Sequence, residues 1–235
     1  MHGRFIRRLP LETQWWSFRL LHPKIAKKFR KRRQLLDVDY SYRPFDERKA
    51  IFIHIPKCAG VAVSQALFGN MAGGHKTLSH YRHVFEPRIL LDYFKFTIVR
   101  NPWDRLVSAY SFLRAGGMDD ADRNWYAAEL SHLPDFEAFV TQWLSRESVW
   151  RGVHFYPQSY FVESEDPRVA LDFIGRFENL ADDFAYIAER LGVEATLALR
   201  NDSQRGNYED YFTPKTRDIV ASVYAEDIRR FGYEF

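Results

Sequence analysis

The chain has 235 residues, 46% hydrophobic and 28% charged, which fits one large soluble domain or one domain with an appendage. Its one cysteine, Cys58, excludes an intramolecular disulfide and a cysteine-based zinc cluster. Residues 1–33 hold eleven Lys or Arg against one acid, whereas the remainder carries 23 bases and 30 acids, so a basic arm at 1–49 on a mildly acidic body at 50–235 is expected and a uniformly basic nucleic-acid-binding domain is not.

In the arm, Trp15, Phe18, Leu21 or His22, Ile25 and Phe29 recur at helical spacing, with Lys24, Lys27, Lys28 and Arg30 to Arg33 around them. Such a helix either docks on the body or lies peripherally on an anionic membrane through residues 1–33. No apolar run approaches the roughly 20 residues of a spanning helix, and no signal-peptide pattern appears, so a cytoplasmic location is expected, with the inner membrane face as the alternative.

Residues 50–55, AIFIHI, read as a buried parallel strand. A turn, PKCAG, and a helix, VAVSQALFG, follow. The polar stretch 70–92 reads as loop around Gly73-Gly74, and FKFTIV at 94–99 as a second buried strand. Asn101 is a good N-cap and Pro102 suits the first helical position. Trp103, Leu106, Val107, Tyr110 and Leu113 then form a helical stripe ended by Gly116-Gly117. Residues 118–134 read as irregular, 135–145 as helix and 153–163 as extended or loop. DFIGRF at 172–177 is a third strand, a helix starts near Asn179, and a final helix follows Thr213-Pro214. This alternation predicts α/β, a P-loop-like three-layer fold with a mainly parallel central sheet flanked by helices.

Two constellations carry chemistry. Small residues in Pro56-Lys57-Cys58-Ala59-Gly60 let backbone N–H groups close on an anion at a helix N-terminus, with Lys57 at its mouth. The loop is not a Walker A sequence. Arg100 ends a buried strand, where α/β sheets place ligands, and its guanidinium can clamp a phosphate. Ser108 lies on a helix flank beside the apolar stripe. The bland alternatives are a surface lysine in a tight turn and an arginine paired with a carboxylate.

IHIPKCAG and FTIVRNPWDRLVSAYSFL together resemble the cofactor motifs of the PAPS-dependent sulfotransferase superfamily, in particular its carbohydrate sulfotransferase (sulfotransferase family 2) group. The resemblance covers roughly 50–235 and extends to GHKT at 74–77, HFYPQ at 154–158, RFENL at 176–180 and the ending YAEDIRRFGYEF. It implies PAPS, an adenosine nucleotide with a 5′-phosphosulfate and a 3′-phosphate, as donor and a hydroxyl of a glycan or lipid-linked sugar as acceptor. No metal is expected. Lys57 would neutralise the leaving group, Gly60 and neighbouring amides would line the 5′-phosphate, and Arg100 and Ser108 would bind the 3′-phosphate. The late loop Asn201 to Tyr211 would close over the donor, with Arg205 as a further phosphate contact.

The loop departs from the family's hydroxyl-rich pattern, with Cys58, Val61 and Ala62 at the matching positions; Ser64 stands one helical turn further on. A histidine suits the base that takes the acceptor's proton. His75 is the first choice, with His80, His83 and His154 behind it, and Lys76 is a candidate for steering an acidic glycan. Two rivals stand beside this expectation: a non-catalytic nucleotide- or glycan-binding protein at a membrane surface, and a P-loop phosphotransferase.

Overall fold

A computed structural model describes residues 10–35, 39–197 and 206–235. In chain order the elements are α1 (Leu11–Leu21), α2 (Pro23–Gln34), α3 (Arg43–Arg48), β1 (Ala50–Ile53), α4 (Gly60–Phe68), α5 (Leu78–Val84), α6 (Pro87–Asp92), β2 (Phe94–Val99), α7 (Pro102–Arg114), α8 (Asp120–Glu129), α9 (Phe136–Ala138), α10 (Gln158–Val162), β3 (Phe173–Arg176), α11 (Leu180–Leu191), α12 (Pro214–Val223) and α13 (Ala225–Phe231). The fold is α/β: a three-stranded sheet in the order β1-β2-β3 among many helices. β1 and β2 pair in parallel, Ala50 opposite Phe94 through Ile53 opposite Thr97. Every β1 side chain is buried, which is why the strand reads as an unbroken apolar run.

The chain divides into two compact units. The first comprises 1–55, 59–98 and 160–199, and the second 56–58, 99–159 and 200–235. The first holds β1, β3 and nearly all of β2. Phe52 stacks on Phe96 with ring centroids 5.1 Å apart, and Thr97 Oγ1 donates to the Ile53 carbonyl at 2.7 Å. The arm helices belong to this unit: Leu11, Trp15, Ala26 and Phe29 are buried, and Arg33 bridges Asp46 and Glu86. The second unit is built on α7. Its stripe packs with Phe136, Phe139, Phe155 and Val220 in one apolar cluster. Asn101 caps α7 by accepting the Trp103 N–H at 3.0 Å, with Pro102 following, as the sequence predicts.

Four local readings change. The arm is not one helix: Pro23, which cannot donate a backbone hydrogen bond, starts a second helix after His22. The stretch 70–92 is helical at α5 and α6, because Thr77 caps the His80 N–H and Leu78, Tyr81 and Val84 bury one face. Residues 118–134 contain α8, which buries no side chain and so shows no apolar period; Asp119 caps it and Asp120 and Asp122 favour its N-terminal dipole. The segment 153–163 holds α10, whose Gln158 and Ser159 N–H groups are received by the Asp227 carboxylate at 2.7 and 2.8 Å. A capping group nearly seventy residues away leaves no local signature.

Burial keeps three histidines of the first unit neutral. Desolvation pushes His80 down to about 3 and His83 to about 4, and holds the buried His54 well below the ordinary range. The unfolded chain takes up these protons below about pH 6.5 while the native state does not, so stability should fall with pH from there down. Thermal melts at stepped pH check this; a melting temperature unchanged down to about pH 4.5 would show that the rings charge without cost.

Candidate functional site

The second unit brings the two predicted cations together. Lys57 and Ala59 are both left-handed, with φ of 68° and 59°, a conformation that is unfavourable for residues with a Cβ. Left-handed residues in a turn are the geometry in which backbone N–H groups converge on an anion. The Arg100 guanidinium donates to the Lys57 carbonyl at 3.0 Å and to Asp104 at 2.6 Å. Arg100 thus has the carboxylate partner that the bland alternative named, while it also fastens the turn carrying Lys57. Arg105 donates to the Pro56 carbonyl at 2.9 Å and to the His154 carbonyl at 3.1 Å.

The centre of this network is Gln158, which is fully buried. Its Oε1 receives the Arg100 N–H at 2.9 Å and the Cys58 thiol at 3.4 Å, and its Nε2 donates to the Arg100 carbonyl at 2.8 Å. One side chain therefore ties the lysine turn to the strand end. Cys58 is a buried anchor of that turn. Ser108 is half-buried on α7, one helical turn beyond Asp104 and on the same flank.

The Lys57 Nζ lies 3.6 Å from the Phe112 ring centroid, a cation–π contact. Phe112 in turn packs against His154, whose Nε2 lies 3.0 Å from Asp122 Oδ1. Desolvation depresses His154 despite that carboxylate, with Lys57 and Arg105 adding to the effect. The His154 Nδ1 is buried without a hydrogen-bond partner.

The first unit holds the other described candidates. Ala59 precedes α4, and Gly60, Val61 and Ala62 make its first turn. A Cβ on Gly60 would fall within the ring of His54, so only glycine fits there. His54 meets His75 edge-on, with ring centroids 4.3 Å apart. The His75 Nδ1 lies 3.0 Å from the His54 carbonyl oxygen. A carbonyl only accepts, so Nδ1 carries a hydrogen, and in the neutral ring the lone pair is then on Nε2, the form a base requires.

Ser64 is buried, and its hydroxyl donates to the Asn70 carbonyl at 2.8 Å, which spends its proton inside the unit rather than at the loop. His80 faces the Tyr42 hydroxyl at 2.9 Å and His83 stacks on Phe18 at 4.1 Å; both are packed among aromatics. Lys76 is half-buried. Arg205 lies outside the described residues. Sequence reasoning missed His54, Arg105, Gln158 and Asp227 as site supports, although Gln158 and Asp227 stand in the family-like segments HFYPQ and YAEDIRRF.

The donor set fits a ligand with two separate anionic groups: a cationic turn opening a helix, and an arginine–serine flank. Among the described residues, no group of three or more His, Cys, Asp or Glu side chains is placed to hold a metal ion.

Residues 41–234 match the model of the sulfotransferase family. An uncharacterized protein of Archaeoglobus fulgidus is 30% identical over 121 residues, 49% of this chain and 82% of its own length. Carbohydrate sulfotransferase 10 of Pongo abelii is 26% identical over 194 residues, 68% of this chain and 52% of its own, so this chain spans about half of that relative. No solved structure matches the chain with comparable significance.

Proposed function

The chain belongs to the sulfotransferase family, and from that premise we propose that it transfers a sulfuryl group from PAPS to a hydroxyl of a carbohydrate. The observation that carries the reading is the hydrogen bond from Arg100 to the Lys57 carbonyl, which fixes two cations distant in sequence at one strongly turned loop. A sugar acceptor is supported by the name of the carbohydrate sulfotransferase relative.

When bound, PAPS supplies the sulfuryl group and an anionic leaving phosphate. Lys57 and the amides from Cys58 to Ala62 hold the 5′-phosphosulfate, and the Lys57 charge offsets the negative charge that grows there. Leaving Phe112 for that phosphate exchanges a cation–π contact for a stronger charge-assisted bond. Arg100 and Ser108 hold the 3′-phosphate, and Gln158 and Arg105 keep the loop and strand end rigid. His75 Nε2 takes the proton of the acceptor hydroxyl.

Titration calorimetry with the desulfated product, PAP, tests the donor site. Wild type should bind, and Lys57→Ala and Arg100→Ala should each weaken binding about ten- to a hundredfold. Absence of PAP binding, or equal binding by both variants, overturns the reading. Transfer of labelled sulfate from PAPS to a panel of glycans tests the reaction. The second reading, a nucleotide-binding protein without activity, is favoured by one observation: neither Cys58 nor Ser64 offers a hydroxyl to the loop. PAP binding with no transfer to any glycan would select it.

A further inference from the structure

The arm helices present opposite chemistries on their outward faces. On α1, Leu11, Trp15 and Phe18 turn inward, and the far side carries Trp16 at 65% and Leu20 at 83% exposure. Leu21, at 63%, flanks them. On α2, Ala26 and Phe29 turn inward, while Lys24, Lys27, Lys28 and Lys31 cluster on the opposite side, all exposed. Ile25, at 44%, lies beside them. Glu12 is the only exposed acid in Leu11–Gln34.

Of the apolar stripe legible in the sequence, Trp15, Phe18 and Phe29 are used up by packing, while Leu21 and Ile25 remain exposed. Trp16 and Leu20, outside that stripe, join them, and internal structure does not account for this exposed set. Scattered exposed leucines are ordinary, but a tryptophan and two leucines within six residues, next to four lysines, are not scattered.

We propose that this face, Trp16, Leu20 and Leu21 with the α2 lysines, docks the protein on an anionic lipid bilayer. The lysines meet the headgroup charge, and the α1 side chains enter the boundary between headgroups and acyl chains, where tryptophan is favoured. The inward face and the Arg33 bridges to Asp46 and Glu86 hold the helices in place, so the surface is preformed. No helix among the described residues is long and apolar enough to cross a membrane, so the contact is peripheral. The proposal stands independently of the sulfuryl-transfer reading.

Co-sedimentation of the full chain with phosphatidylcholine vesicles, with and without phosphatidylserine, tests it. Binding should require phosphatidylserine and fall as salt rises. Trp16→Ser with Leu20→Ser, and separately Lys24→Glu with Lys28→Glu, should each reduce binding by about tenfold or more, with the melting temperature and PAP affinity unchanged. Equal binding to neutral and anionic vesicles, or full binding by either double variant, overturns the proposal. So does sedimentation velocity without lipid if it shows a dimer that Trp16→Ser with Leu20→Ser dissolves, since the face would then belong to a second copy.

Discussion

His75→Ala should lower kcat for sulfuryl transfer by about two to four orders of magnitude, the usual worth of a positioned base. PAP affinity should stay near that of wild type, because the loss falls on proton transfer and not on the phosphates. The expectation rests on tautomer. The His54 carbonyl fixes the hydrogen on His75 Nδ1 and leaves Nε2 as the acceptor. A kcat within about threefold of wild type would move the base elsewhere. His154 is the next candidate, although its Nε2 faces Asp122.

Gly60→Ala should destabilise the protein by about 3 kcal/mol and abolish PAP binding at ordinary ligand concentrations. The new methyl would occupy the space of the His54 ring, which is buried, stacked on Phe52 and met edge-on by His75. Either the ring or the first turn of α4 must shift. Denaturant unfolding measures the loss. Pairing the change with His54→Ala should recover part of the stability, because the two sites share one volume. A Gly60→Ala protein as stable as wild type would show that the ring is free to move.

Arg100 and Asp104 illustrate what one sequence can disclose. Their spacing is i,i+4, so the ion pair is legible locally. The Lys57 carbonyl as a second acceptor is not, since nothing at residue 57 points 43 positions ahead. The same holds for Lys57 on Phe112 and for Asp227 capping α10. Each is a contact between elements whose spacing in sequence has no period.

The loop at 118–134 fails for a different reason. Its helix fully buries no side chain and rests on the apolar cluster only through the adjacent Trp125 and Tyr126, so hydrophobic periodicity has little to report. The cap and the charges at its N-terminus are the local signals of α8, and they were present in Asp119 and Asp120.

The sequence alone determined the three strands, the capped start of α7, the α/β class and the two constellations around Lys57 and Arg100. These follow from apolar runs, caps and small residues, which act within a few positions of the chain. Only the tertiary structure decided that Gln158 fastens Cys58 to Arg100, that His54 allows no residue but glycine at position 60, and that His75 presents Nε2 as its lone pair. It also decided which apolar face of the arm is consumed by packing and which is exposed. Burial and hydrogen-bond partnership belong to the folded chain, and no local pattern encodes them.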